Sequence, residues 1–193
     1  SAESDSDAAL ERFDNLRQRV SGLDVAPPYK VARVWLDRPT QPGRPDILET
    51  PQHKPVNLVT LFHLLEDESR DWAERAGGSV LEFHLYADDR WGNMPDDEVW
   101  AIIKPLLNEL YPELQEASVI DMQIGTYHDF TSFEVGQGKI RPRSNAPKLD
   151  YDIQGLAFAG DWVHTDYPCA LMEKAVSTGR EAANHFLLAD RVR

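Results

Sequence analysis

The chain has 193 residues, 41% of them hydrophobic, and a formal net charge of -13 from 33 acidic and 20 basic side chains. That apolar share supports a core for one domain or part of a larger one. The acidic balance, spread along the chain, argues against a phosphate-binding face and so against nucleic acid as a partner. An acidic surface suited to high salt is the plain reading of the charge, and a site for cationic substrates the sharper one. A single cysteine, Cys169, excludes an internal disulfide and a CxxC pair and points to a reducing, cytoplasmic setting. No apolar run approaches the ~18 residues of a membrane span.

In chain order, the polar "SAESDSD" is expected to lack fixed structure, and no signal peptide opens the chain. Leu10, Phe13, Leu16 and Val20 at helical spacing predict a helix over 8–20, with Asp7 as N-cap and Gly22 as terminator. "PPYKVARVWLDRP" alternates Val31, Arg33 and Trp35 against Ala32, Val34 and Leu36, which is a strand. Five prolines between Arg38 and Pro55 predict a loop or irregular edge. Residues 56–66 read as a long apolar strand with a part that could be helical. A short helix ending at Gly77-Gly78 follows, then an alternating strand over 79–87. "DDEVWAIIKPLLNELYPEL" is a helix with an acidic first turn that Pro105 should kink or deprive of a backbone bond. Residues 117–130 are a further strand, and "EVGQGKIRPRSNAP" a basic loop. "GLAFAG" (155–160) reads as a buried strand, and 168–188 as the last helix. Leu171, Met172, Ala175, Val176, Gly179, Ala182, Ala183, Phe186 and Leu187 form one stripe along it.

The strand–Gly160-Asp161–helix arrangement is the feature richest in chemistry. A carboxylate at a strand end accepts hydrogen bonds from sugar hydroxyls, and the free N–H groups of the next helix suit an electron-rich acceptor. Asp161 could equally cap a turn or pair with an arginine, although 156–168 contain no Arg or Lys. The six histidines show no metal-ligand spacing, so no metal site is expected. Ser177, His164 and Asp161 could be written as a triad, but no G-x-S-x-G elbow supports it. Trp35, Phe62, Phe83, Tyr86, Tyr127 and Phe130 fall on predicted strands, either as core or as one wall of an apolar tunnel. Arg141 and Arg143 flank Pro142 and are open to a phosphate or a surface role. Cys169, at a helix start, is a small apolar filler before it is a reactive thiol.

These residues carry a resemblance. "LAFAGDWVHTDYPCALMEKAVSTGREAAN" resembles the C-terminal flavin-binding signature of the flavin amine oxidase and carotenoid desaturase superfamily. "PYKVARVWLDRP", "WAERAGGSVLEFHLYA" and "LNELYPEL" are similar to the isorenieratene synthase group within it, a resemblance that runs from about Pro28 to Leu187. It implies FAD as cofactor. Gly160 would allow close backbone approach, Asp161 would contact the ribityl or phosphate region, and the Leu171 and Met172 amides would face the flavin N1/O2 edge. Lys174 stands where many relatives have Gly, with its side chain expected to point away from the cofactor. No general base is assignable.

Members of that superfamily are much longer and open with a βαβ unit bearing G-x-G-x-x-G, which nothing here matches; "GQG" at Gly136–Gly138 lacks the surrounding strand and helix. The chain therefore looks like the C-terminal half of such an enzyme, with the N-terminal FAD-binding half as its partner and little retention of FAD by itself. The expected fold is α+β: a mostly antiparallel mixed sheet with flanking helices, plus a C-terminal strand–helix unit of a Rossmann-like FAD domain. The expected divisions are a polar tail and helix (1–27), a substrate-domain portion (28–150) and an FAD-domain strand and helix (151–193). The implied activity is desaturation of a carotenoid or another long apolar isoprenoid with hydride transfer to flavin, in the cytoplasm and in transient contact with a membrane. The alternatives are a stand-alone module that binds an apolar ligand or a protein without redox activity, and a flavin amine oxidase.

Overall fold

Alternation of apolar and polar residues in "YKVARVWL" puts every second side chain on one face of a strand. In the computed structural model, β2 (Tyr29–Leu36) buries Lys30, Ala32, Val34 and Leu36 and leaves Tyr29, Val31, Arg33 and Trp35 half-covered on the other face. The structure describes residues 2–86, 88–144 and 155–189. They fall into two compact units, Ala26–Phe130 on the one hand and Ser1–Val25 with Thr131–Arg193 on the other. The units divide at 25/26 and 130/131, where divisions at 27 and 150 were expected, and 150 itself lies outside the described residues.

The Ala26–Phe130 unit is built on a five-stranded antiparallel sheet. β3 (Ile47–Glu49), β4 (Leu58–Leu61), β5 (Ser79–Leu85), β2 and β6 (Val119–Tyr127) lie in the order β3-β4-β5-β2-β6. One face carries Ala32, Val34, Leu61, Leu81, Phe83 and Leu85 into a single core with Val99, Ile103, Leu106 and Leu107 of α4 (Asp96–Leu110). Each such side chain contributes about 1.5–3 kcal/mol by leaving water. Lys30 is tolerated on this face because its Nζ donates to Thr126 Oγ1 at 2.6 Å and lies 3.7 Å from Asp96. α4 runs through Pro105 without interruption. The apolar run over 56–66 divides into β4 and one helical turn, α2 (Phe62–Leu65), before α3 (Asp67–Ala76), which Gly77 closes in a left-handed conformation. The proline-rich loop gains the short strand β3 and is tied down by a two-bond Arg44–Glu113 pair at 2.6 and 3.0 Å.

In the other unit, α1 (Ala2–Ser21) starts well before residue 8, so the polar opening stretch is helical where it was expected to lack structure. A Pro- and Gly-free sequence adds helical residues cheaply once a helix has nucleated. The basic loop contains a helical turn, α5 (Gln137–Ile140), whose Gln137 side chain joins Asp24 by two bonds at 2.8 and 3.0 Å. β1 (Val25–Ala26) pairs with β7 (Phe130–Thr131).

One expectation for the C-terminal stretch needs correction. Residues 155–160 form no strand. An apolar run becomes a strand only where neighbours supply ladder hydrogen bonds. Among the described residues none pairs with it, and Gly155 (φ 80°) and Gly160 (φ 129°) bracket it with left-handed turns. The helix forms, as α6 (Leu171–Ala189), three residues after Pro168. Among its described positions Lys174 and Thr178 are buried, whereas Leu171, Met172, Val176, Phe186 and Leu187 of the apolar stripe are exposed.

Candidate functional site

Two arrangements carry chemistry, one in each unit. The first is the turn at Gly160-Asp161 with the start of α6. Gly160 is held to the helix by Thr178, which is fully buried. The Thr178 hydroxyl accepts the Gly160 N–H at 3.0 Å and lies 2.9 Å from the Gly160 and Lys174 carbonyls, one of which takes its proton. A Cβ at position 160 would come within 2.7 Å of the Trp162 indole, and φ of 129° disfavours any side chain there. Gly160 is therefore required by the turn itself. The threonine of the "STG" stretch, which the sequence reading passed over, is what pins it.

Asp161 is half-buried. The stretch 156–168 holds no Arg or Lys, and the cations that the Asp161 charge reaches come from outside that stretch. Its charge acts on Arg141 and Lys174, both almost fully buried at 5% and 8% exposure. Burial pushes the Arg141 guanidinium below its ordinary pKa and Asp161 opposes that shift. Burial and then the Arg141 charge push Lys174 down, while Asp161 and Cys169 pull it up. Both cations also approach the Phe133 ring, at 5.0 and 5.9 Å from its centroid. Arg141 donates through a guanidinium N–H to the Ser132 carbonyl, but its Nε is buried with no acceptor among the described residues.

Leu171 and Met172 open α6 with 57% and 83% exposure. Leu171 adopts φ 51°, a conformation a branched residue rarely takes and one that concentrates at functional sites. The first amides of any α-helix have no intrahelical acceptor. Gly160, Asp161, Leu171 and Met172 are all in one unit, with the helix start uncovered. His164 and Ser177 do not assemble with Asp161 into a triad: His164 Nε2 lies 3.5 Å from Asp166, which Arg143 holds by two bonds at 2.8 and 3.1 Å. This places Arg143 at a surface pair.

The second arrangement is the open face of the sheet. Phe83 belongs to the core on the opposite face. Trp35, Phe62, Tyr86, Tyr127 and Phe130 are half-covered or exposed. Tyr29, absent from the sequence reading, organises the aromatic end. It stacks on Tyr127 at 5.0 Å, meets Phe130 at 4.7 Å and takes Tyr86 edge-on at 5.7 Å. Gly125 makes room for this, since a Cβ there would come within 2.9 Å of the Tyr127 ring folded over it. Beside these rings lies a hydrogen-bonded series along β5. Arg33 donates to Glu82 at 2.9 Å and lies 2.7 Å from the same oxygen through a second nitrogen. His84 Nε2 meets Glu82 at 2.9 Å, and Tyr86 Oη meets His84 Nδ1 at 2.8 Å. Arg33 also covers the Phe62 ring at 3.8 Å. Burial opposes ionisation of Glu82, but the bonds from His84 and Arg33 outweigh it and hold the carboxyl below its ordinary pKa. Burial, with Tyr29 and Glu82 nearby, raises Tyr86. The signal was present in the sequence as Glu82, His84 and Tyr86 at alternate positions of a predicted strand, which places all three on one face.

Among known proteins, the chain is 37% identical over 174 residues to a carotenoid phi-ring synthase of Streptomyces griseus, an overlap that covers 89% of this chain and 32% of that protein. It is 34% identical over 166 residues to a carotenoid phi-ring synthase of Chlorobaculum tepidum, covering 86% of this chain and 25% of the relative. The chain thus spans about a third or less of the length of these relatives. A solved oxidoreductase from Methanosarcina mazei is 17% identical with a TM-score of 0.46, covering 86% of this chain and 36% of the other. The family model described as flavin containing amine oxidoreductase matches residues 12–187, and the chain belongs to that family.

Proposed function

We propose that this chain is part of an FAD-dependent oxidoreductase that desaturates a carotenoid or another long apolar isoprenoid, with FAD as the hydride acceptor. The observation that carries the reading is the 37% identity, across 89% of the chain, to a protein named for making a carotenoid ring. The residues fit a flavin. The exposed start of α6 offers amides and the positive helix end to the N1/O2 edge, where negative charge develops on reduction. Leu171 and Met172 supply those amides, Gly160 shapes the approach, and Asp161 accepts from a ribityl hydroxyl. The buried Arg141 Nε is a donor that an anionic oxygen of the cofactor would satisfy. FAD would supply the two-electron acceptor, while this chain orients the cofactor and walls in an apolar substrate with Tyr29, Tyr127 and Phe130.

The remainder of the FAD cradle is a phosphate-binding Gly-rich loop, and we assign it to an N-terminal half of the same enzyme. The chain alone then holds FAD weakly. An apolar substrate also implies transient contact with a membrane surface from the cytoplasmic side, and no helix described is long and apolar enough to cross one. A second reading, oxidation of an amine, draws on the rings of Tyr29 and Tyr86 beside the Glu82 carboxylate, which would attract a cation. The experiment is anaerobic mixing of the FAD-loaded enzyme with a β-ring carotenoid or with an amine, watching flavin absorbance. Bleaching by the carotenoid alone supports the first reading. Bleaching by the amine alone replaces it with the second.

A further inference from the structure

The hydrogen-bonded series on β5 has a direction. An ionised Glu82 can only accept, so His84 Nε2 must carry the proton that joins them. In a neutral imidazole Nδ1 is then a lone pair, and the 2.8 Å contact requires the Tyr86 hydroxyl to donate to it. The Tyr86 oxygen is left as an acceptor with no proton to offer outward, and donating to His84 makes it a stronger acceptor. The inner members are sheltered, with the Glu82 side chain 10% and the His84 side chain 18% exposed. Tyr86, at 43%, is the exposed end of the series. Asn57 Oδ1 accepts the Tyr86 N–H at 2.9 Å and fixes the backbone that carries the ring.

Beside that oxygen the sheet face is aromatic. Tyr29 takes Tyr86 edge-on at 5.7 Å, stacks on Tyr127 at 5.0 Å and meets Phe130 at 4.7 Å. All of these residues belong to the Ala26–Phe130 unit, so the apolar rings and the polar end form one surface. A hydrocarbon laid on the rings would cover the Tyr86 acceptor and leave it unpaired. A ketone or an ether would set lone pair against lone pair. A hydroxyl supplies the missing proton. An ammonium also carries protons, but the carboxylate it would seek is turned inward, with Oε2 of Glu82 bonded to Arg33 and Oε1 to His84.

We propose that this face takes an isoprenoid alcohol, with the rings against its apolar body and the Tyr86 oxygen accepting its hydroxyl proton. His84 and Glu82 are positioning residues that keep the Tyr86 proton turned inward. The proposal rests on the reading in which Tyr29, Tyr127 and Phe130 wall in an apolar substrate, and it narrows that substrate to one that carries a hydroxyl near an end.

Two measurements test it, and neither requires turnover. Side-chain ¹⁵N NMR of His84 near neutral pH should show a proton on Nε2 alone, with Nδ1 shifting when Tyr86→Phe removes its donor. A proton on Nδ1 alone, or on both nitrogens, overturns the proposal. Affinity is then read from the ring signals of Tyr29 and Tyr127 during titration with ligands built on one β-ring skeleton that ends in a hydroxyl, a ketone, a methyl ether, an amine or a hydrogen. The alcohol should bind roughly three- to tenfold tighter than the ketone, ether or hydrocarbon, the worth of one net hydrogen bond. Tyr86→Phe should abolish that preference and leave the hydrocarbon's affinity unchanged. His84→Leu should free the Tyr86 proton to point outward and bring the ketone level with the alcohol, a change that a merely structural histidine would not produce. An alcohol preference that is absent from the wild type, or that survives Tyr86→Phe, sinks the proposal while hydrocarbon binding upholds the apolar wall. An amine that outbinds the alcohol overturns it in favour of an ammonium site. Failure of every ligand to bind, the hydrocarbon included, contradicts the wall itself and takes the proposal with it.

Discussion

α4 and α6 are both amphipathic by sequence, and the structure treats them in opposite ways. α4 turns Val99, Ile103, Leu106 and Leu107 into the sheet and is stabilised by that burial. α6 leaves Leu171, Met172 and Val176 in solvent and buries a lysine and a threonine. The period of a helix says which residues share a face. It does not say what covers that face. Where the covered residues are apolar, the helix is part of a core. Where they are Lys174 and Thr178, it is held by a hydroxyl clasp on Gly160 and by charge, and its apolar stripe remains available.

The contrast can be broken most forcefully by truncation. Ile103→Ala should cost the chain about 2–5 kcal/mol in urea unfolding, whereas Val176→Ala should stay within about 0.5 kcal/mol. A comparable loss at both sites would mean that α6 packs by its apolar stripe after all.

The charge beneath α6 gives the next effect. Asp161→Asn leaves Arg141 and Lys174 buried without their carboxylate and should cost about 1–3 kcal/mol. Adding Lys174→Met should recover much of that. The pH dependence follows from the sign of the shift. Lys174 has a lowered native pKa, so between that value and the ordinary 10.5 the unfolded chain binds more protons. Stability from this site therefore rises with pH across that window and is constant below it. Urea midpoints at neutral and alkaline pH should show the rise flattened in Lys174→Met, and an unchanged slope would contradict the burial of a charged lysine.

On the acid side, Glu82 and Glu113 have lowered native pKa values, each against an opposing contribution from burial. Their contribution is present above the ordinary 4.5 and is lost as pH falls through the native values. Glu113→Gln should cost about 1.5–3 kcal/mol at pH 7, the worth of charge-assisted bonds, and should shrink the difference from wild type near pH 3. The smallest effect is global. With a formal charge of -13, self-repulsion should make the melting temperature rise as KCl is added, and a fall would mean that specific ion pairs dominate.

How much of this was legible depends on how local the cause is. β2 was readable because its alternation is written in adjacent residues, and α3 because Gly77 stands at its end. The stretch 155–160 was misread because a continuous apolar run is neutral between a strand and a coil until a neighbour offers hydrogen bonds. The cations that feel the Asp161 charge were not legible either, because Arg141 and Lys174 lie outside the 156–168 stretch around it. Of Glu82, His84 and Tyr86, only Tyr86 was named from the sequence, as a strand aromatic. Their i, i+2, i+4 spacing on a predicted strand already placed them on one face, and only the distances between their polar atoms made them a series. Tyr29 was invisible as an organiser because its partners come from β5 and β6, on either side of it.

The central claim is that the start of α6 serves a flavin. Amide hydrogen exchange in the protein with and without FAD reads it residue by residue. The account predicts that exchange at Leu171 and Met172 slows when FAD is bound, while amides in the middle of α4 exchange at the same rate in both states. Unchanged exchange at Leu171 and Met172 in a sample that holds its FAD would contradict it.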